Sequence, residues 1–314
     1  VELPGGGSGV KFEHEGEDPV LPIPADWEKF SPVLGQGKVQ HVALGIWWAL
    51  NGQGDDQKTG EDYLIRIARD EVDNGTAFLD VNVDEYTNDD AERIEVMKWL
   101  ATFLSERFET PLSIDSSSKS VLAAGLECCR KDIGQPMLNS VSLERAECIE
   151  LVQAFDAHVV VSAAGREDLP TTLQGRMGNF TEIIGMLDKA GTPREKMHLD
   201  PLVFPISTEP TNGKNFLAAT SAAKKEFGTV KLSGGYSNIS FGMPNRKLLN
   251  MVFVNLCVEA GAESGIINPV AMPPRRIGAM DSESEPFKLA RAVLVGEDMY
   301  GMEYIAAFRD GRLK

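Results

Sequence analysis

The sequence is short of positive charge. Against 47 Asp and Glu it sets only 31 Lys and Arg, a net charge of −16, and no stretch gathers the basic residues into a stripe. A phosphate-backbone surface needs such a stripe, so nucleic acid is excluded as a partner. Cysteine is scarce too. Cys128, Cys129, Cys148 and Cys257 form no CxxC, and the adjacent pair sits on a predicted helix, so reduced and mostly structural thiols are expected. The histidines (His14, His41, His158 and His198) show neither HxH nor HExxH spacing, which argues against a zinc site. No apolar run reaches the roughly 18 residues of a membrane helix, and no signal-peptide pattern opens the chain. The expectation is a cytoplasmic protein with an acidic exterior.

What is present is a repeating unit. Residues 1–38, rich in Gly, Pro and acids, read as an arm over the surface; residues 39–314 read as one domain. Across that domain a short β-rich run leads to a polar loop and then to an amphipathic segment. The strand candidates are "VQHVALGI", "AFLDVNV", "PLSIDS", "PMLNSV", "AHVVVSA", "MHLDPLV", "VKLSGGYS" and "SGIINPV". Helical segments separate them, such as "EDYLIRIARDEVDNG", with Tyr63, Leu64, Ile67 and Val72 at helical spacing. Unbroken alternation of this kind predicts an α/β fold closed as a (β/α)8 TIM barrel, with an open doubly wound sheet as the alternative.

Polar residues recur where these strands end. Asp115 closes "PLSIDS", Asn139 closes "PMLN", Asp200 follows "MHL", and Asn238 lies in "GGYSNIS". An Asp or Asn there can cap a helix or make an Asx turn. In a barrel the same positions converge on one mouth, where ligands bind. Together they form a set of acceptors and amides with no Lys among them, suited to a neutral heterocycle bearing N–H donors. A phosphate would require a Gly-rich loop or a basic cradle. Ser116, Ser117 and Ser118 are expected to cap the following helix, and Asp89 and Asp90 to open the one before it.

In order and spacing, "FLDVNVDE", "LSIDSSS", "MLNSVSLE", "HLDPLVFP" and "YSNISFGMPNR" resemble the pterin-binding, dihydropteroate synthase-like TIM-barrel superfamily, and within it the methyltetrahydrofolate:corrinoid methyltransferase branch. The resemblance implies that Asp115, Asn139 and Asp200 hydrogen-bond the pterin's amino-pyrimidinone edge. It implies that Asn238 reaches N5, the nitrogen that carries the methyl group, and that Arg246 holds or orients the folate side. Asp80 falls near the pterin floor, and Asn82 beside it, where supporting other site residues or capping would serve as well. The implied reaction moves a methyl group between N5 of tetrahydrofolate and the cobalt of a corrinoid (cobalamin) carried by a partner protein. Tetrahydrofolate or 5-methyltetrahydrofolate is then the substrate, the direction stays open, and a homodimer is favoured.

One segment departs from the family. Where members carry G-E-R-x-N after their first strand, this chain reads "VALGIWWALNGQG", leaving Gly45 and, loosely, Asn51. Trp47 and Trp48 there read as core or rim packing, or as an aromatic wall for an altered substrate tail or a corrinoid face. The changed segment motivates a second reading, a non-catalytic folate or corrinoid-protein binding module. A third, dihydropteroate synthase, is disfavoured: "LDPLVFPIST" lacks a Lys and "IINPVAMP" a His for the diphosphate.

Overall fold

The computed structural model describes residues 1–3, 6–27 and 39–313, so the last part of the expected arm, 28–38, lies outside the described residues. The chain divides into two compact units, Val1–Pro136 and Met137–Lys314.

In the first unit, β1 (Gly9–Lys11) and β2 (Val20–Pro22) form an antiparallel hairpin. It is more than a loose covering. Leu21 and Phe12 are buried, and the Phe12 ring meets Tyr63 edge-on at 4.9 Å. Two helices follow, α1 (His41–Asn51) and α2 (Asp55–Asp73). The first of these corrects the reading of "VQHVALGI" as a strand. The apolar run does not stop at strand length but continues through Trp47, Trp48 and Ala49, and Ala43, Ile46 and Ala49 are buried at helical spacing. A short apolar run alone does not distinguish a strand from a buried helix. Close packing completes the pair, since a Cβ on Gly60 of α2 would fall 2.5 Å from the Ala49 nitrogen of α1. The tryptophans pack: Trp48 donates Nε1–H to the Pro22 carbonyl at 2.7 Å, and the Trp47 ring lies edge-on to Trp27 and Trp48.

Beyond α2 come β3 (Leu79–Asn82), α3 (Asp90–Ser105), β4 (Leu112–Asp115) and α4 (Lys119–Glu127). β3 and β4 are parallel, with Asp80 opposite Ser113 and Asn82 opposite Asp115. Asp89 caps α3 as expected, accepting from the Glu92 N–H at 2.9 Å, a bond worth about 1 kcal/mol.

The second unit holds a parallel sheet in chain order: β5 (Met137–Val141), β6 (His158–Ser162), β7 (Met197–Asp200) and β8 (Lys231–Leu232). Parallel neighbours need crossovers, supplied by α5 (Ile149–Ala154), α6 (Leu173–Lys189) and α7 (Asn212–Phe227). Then come α8 (Arg246–Glu259), α9 (Pro274–Gly278), α10 (Glu285–Leu294) and α11 (Met302–Arg309). Val159, Val161, Leu199 and Leu232 are wholly buried, as strands covered by helices require.

The expected strand "SGIINPV" is a second correction: it contributes only a single bridge, Ile266 to Gly235. Asn268 turns the chain there, its Oδ1 accepting from the N–H groups of Val270 and Ala271, and Pro269 has no N–H to give a ladder. "VKLSGGYS" is likewise a two-residue strand followed by a 3-10 turn, Tyr236–Ser240. Among the described residues no helix is long and apolar enough to cross a membrane.

Candidate functional site

Side chains opposite one another in a ladder share a face of the sheet. In the first unit that places Asp80, Asn82, Ser113 and Asp115 on one face at the C-terminal ends of β3 and β4. Asn82 donates Nδ2–H to Asp115 Oδ2 at 3.0 Å, and Ser113 donates its hydroxyl to Asp80 Oδ1 at 2.6 Å. Asn82 therefore orients Asp115, while one oxygen of Asp80 is already taken.

The serines after Asp115 do something other than cap. Ser118, at the N-cap of α4, makes no side-chain capping bond. Ser116 donates its hydroxyl to Asp84 Oδ1 at 2.6 Å, and the Ser117 N–H donates to Asp84 Oδ2 at 2.8 Å. Burial works against the Asp84 carboxylate, yet those bonds and the Arg93 guanidinium hold it below the usual carboxylate range. Asp84 thus ties down the turn that carries Asp115, a role the sequence hides because its partners lie on the next strand.

A cavity of about 480 Å³ opens in this unit, lined by Glu71, Asp80, Asn82 and Tyr86 together with apolar residues that include Ile46 and Leu79. Burial, then the nearby Asp80 charge, lifts Glu71 above the usual range. Asp115 does not line this cavity, so its size does not mark it as the pterin site.

In the second unit the ladder sets Asn139 opposite Val160 and Ser162 opposite Asp200, so Asn139, Ser162 and Asp200 share one face. Asn139 is buried, and its side-chain amide bonds to no described residue. Asp200 ends β7 before Pro201, which holds the preceding residue in extended geometry. Leu202 then takes a left-handed conformation (φ 71°) and donates its N–H to Asp200 Oδ1 at 2.8 Å. A non-glycine residue rarely sits there, and the strain is held by its surroundings. Asp200 keeps some surface exposed, but protein atoms enclose its carboxyl so fully that burial pushes its pKa up to about 6. The Leu202 N–H and the Arg176 guanidinium oppose that rise.

Asn238 stands exposed on the 3-10 turn, and among the described residues its side chain makes no hydrogen bond. The turn itself is anchored firmly. Tyr236 is buried with its hydroxyl donating to the Ser264 carbonyl at 2.6 Å, and the Ile239 carbonyl accepts from the Ile206 N–H. Gly265 is required by close approach, because a Cβ there would fall 2.1 Å from the Tyr236 ring. Arg246 is spent on the same turn: Nε donates to Ser240 Oγ and Nη2 to the Ser237 carbonyl, both at 3.0 Å, with the guanidinium 4.3 Å from the Phe241 ring centre. Its hydrogen bonds shape the loop that presents Asn238.

Each unit thus presents acceptors and amides at strand ends, with Arg93 beside Asp84 in the first unit and Arg176 and Arg246 supporting the turns of the second. The model of the pterin-binding enzymes matches residues 55–268. The chain belongs to the pterin-binding enzyme family. Within reach of this family it is similar to a methylcorrinoid:tetrahydrofolate methyltransferase of Eubacterium limosum, 29% identical over 225 residues, covering 70% of this chain and 78% of that protein. Among solved structures it is similar to dihydropteroate synthase of Yersinia pestis (TM-score 0.56, 17% identity, 70% of this chain and 87% of that one). It is also similar to dihydropteroate synthase of Coxiella burnetii bound to pteroic acid (TM-score 0.52, 18% identity, 74% and 86%). At such identities these likenesses carry the fold alone, the α/β TIM barrel of the dihydropteroate synthases. The family model spans β3 to β8 and stops at Asn268, so the altered "VALGIWWALN" segment lies before it.

Proposed function

We propose that this member of the pterin-binding family is a methyltransferase that moves a methyl group between N5 of tetrahydrofolate and the cobalt of a corrinoid carried by a partner protein. One observation carries the reading: Asn238 is held out on an anchored turn with its amide unspent, in the motif where the resemblance places the contact to N5. The Eubacterium limosum relative's name makes the methylcorrinoid the donor and tetrahydrofolate the acceptor, and we carry that direction over as part of the proposal.

In that direction the N5 lone pair attacks the methyl carbon. The N–C bond forms, the Co–C bond breaks, and cobalt leaves as Co(I) with the bonding pair. N5 becomes cationic until it gives its proton to water. The difficulty is this charge on N5, in either direction. An amide has no useful pKa, so Asn238 cannot be a conventional general acid. Its Oδ1 can accept a hydrogen bond from N5–H, and that bond strengthens as N5 becomes positive. Such differential stabilisation lowers the barrier rather than merely improving binding.

Asp115, Asn139 and Asp200 serve the pterin in this reading. Carboxylates match its N–H and NH2 donors, and a buried amide both donates and accepts. Asn82, Asp80 and Arg246 orient these groups or the folate. The test mixes the protein with methylcobalamin and tetrahydrofolate, and separately with Co(I) cobalamin and methyltetrahydrofolate, following cobalt absorbance. Interconversion of methyl-Co(III) and Co(I) is expected. Tight folate binding without any transfer would favour the non-catalytic binding module.

A further inference from the structure

Arg176 is a charged side chain that none of these roles uses. It lies on the first turns of α6, is 1% exposed, and among the described residues has no carboxylate within ion-pair distance. A buried cation without such a partner is costly, and an apolar side chain of the same size would be the cheaper filling. Its bonds show where it is directed. Nε donates to the Pro201 carbonyl at 2.7 Å, Nη1 donates to the Thr171 carbonyl at 3.3 Å, and the guanidinium sits 5.5 Å from the Phe204 ring centre. Pro201 immediately follows Asp200, and the next residue, Leu202, holds Asp200 Oδ1 from the other side. The turn is therefore clamped twice, once at the Asp200 carboxylate and once at the carbonyl beside it. Both clamps act where Leu202 occupies a strained conformation.

We propose that Arg176 is a positioning residue for Asp200: it fixes the Asp200–Pro201–Leu202 turn and keeps the Asp200 carboxylate ionised and aimed for the pterin's N–H donors. The inference rests on the reading above only for the identity of the ligand. The groups facing Asp200 are few. Arg176 comes from α6, the Tyr236 phenol from the turn after β8, and the Leu202 N–H from its own turn. Ser162 on β6, its ladder partner, is occupied as acceptor for the Ala164 N–H. The Tyr236 hydroxyl is committed to Ser264 and stays neutral, its own ionisation pushed above the usual range by burial. Among the described residues, Arg176 is then the one permanent positive charge that acts on Asp200.

The experiment follows the Asp200 carboxyl carbon by NMR against pH in the ligand-free protein, with 13C-labelled aspartate and the resonance assigned by its loss in Asp200→Asn. Arg176→Met fills the same space without leaving a buried charge. It should move the Asp200 midpoint up by about one pH unit or more. The midpoint for methyltetrahydrofolate binding should move with it. Arg176→Lys, which keeps the charge, should move it less. An unchanged midpoint in folded Arg176→Met overturns the proposal. Should that variant fail to fold, the wild type decides: the Arg176 Nε–H resonance must titrate at the Asp200 midpoint, with that step absent in Asp200→Asn. A flat Arg176 resonance overturns it equally. Failure of the wild type to bind tetrahydrofolate would remove the proposed ligand while leaving the Arg176–Asp200 coupling to be judged on the NMR alone.

Discussion

His198 and Asp200 stand two residues apart on one face of β7, and burial acts on both with opposite consequences. His198 lies level with Lys231 on β8 and meets the His158 ring at 5.8 Å; burial, then those two neighbours, drives its pKa down to about 3. It is locked neutral, with Nδ1 bonded to Ser264 Oγ at 2.8 Å and Nε2 buried without a partner. At Asp200 burial raises the pKa only to about 6, because an N–H and a guanidinium resist it. One end of the strand is made inert by burial, aided by neighbours that share its sign when charged. The other is kept titratable near neutrality by partners of opposite sign. Perturbed groups of the second kind mark candidate sites, whereas the first kind also arises from packing alone.

Of the two residues, Asp200 should show the larger effect, in Asp200→Asn. Loss of a charged acceptor should weaken methyltetrahydrofolate binding by about 1–3 kcal/mol, roughly fivefold to 150-fold in Kd by calorimetry. Wild-type affinity should fall as pH drops through about 6, and the variant should lack that step. Stability should change the other way. A carboxyl whose folded pKa exceeds its unfolded value costs stability above the folded pKa, and the cost is relieved as pH falls from about 6 towards 3.8. At pH 7 the variant should therefore gain ~1–3 kcal/mol against urea.

His198→Leu should show the mirror image. A base whose folded pKa is depressed contributes stability above its unfolded pKa of 6.5 and loses it as pH falls towards 3. Thermal melts of the wild type should decline across that window and those of the variant should decline less, with folate affinity unchanged. Ser264 keeps a partner in the Leu232 carbonyl, so the cost at neutral pH should be small.

Much of this was legible in the sequence. Leu79, Leu112, Met137, His158, Met197 and Lys231 each begin a strand within a predicted apolar run, because a buried parallel strand is a short apolar segment that turn residues bound. The first and last predicted strands were misread for different reasons. The helix at His41–Asn51 is apolar on so many sides that its period does not show. The segment around Ile266 has strand-like residues, but Asn268 and Pro269 end the pairing after one bridge. Arg176 and Asp84 were invisible as supports. Arg176 acts on a backbone carbonyl 25 residues away and Asp84 on a turn 33 residues away, and no local spacing encodes such contacts.

Smaller effects are expected at Gly265, Ser116 and Ser118. Gly265→Ala should destabilise by about 1–3 kcal/mol in chemical denaturation, since the new Cβ overlaps the Tyr236 ring that anchors the Asn238 turn. Ser116→Ala should cost about 1 kcal/mol by freeing Asp84. Ser118→Ala should cost less than about 0.5 kcal/mol, because that hydroxyl caps nothing. Equal costs at the two serines would restore the capping role first expected of them.

Methyl transfer at N5 with Asn238 serving the transition state is put to the test by single-turnover kinetics. Wild type and Asn238→Ala are mixed anaerobically with methyltetrahydrofolate and Co(I) cobalamin, loss of Co(I) absorbance is timed, and folate affinity is titrated alongside. The wild type should methylate cobalt. The variant should be slower by roughly 30- to 1000-fold, the loss of about 2–4 kcal/mol of transition-state stabilisation, with a smaller change in affinity. A wild type that binds the folate but leaves Co(I) unchanged would contradict the account, and so would a variant whose rate loss is no larger than its affinity loss.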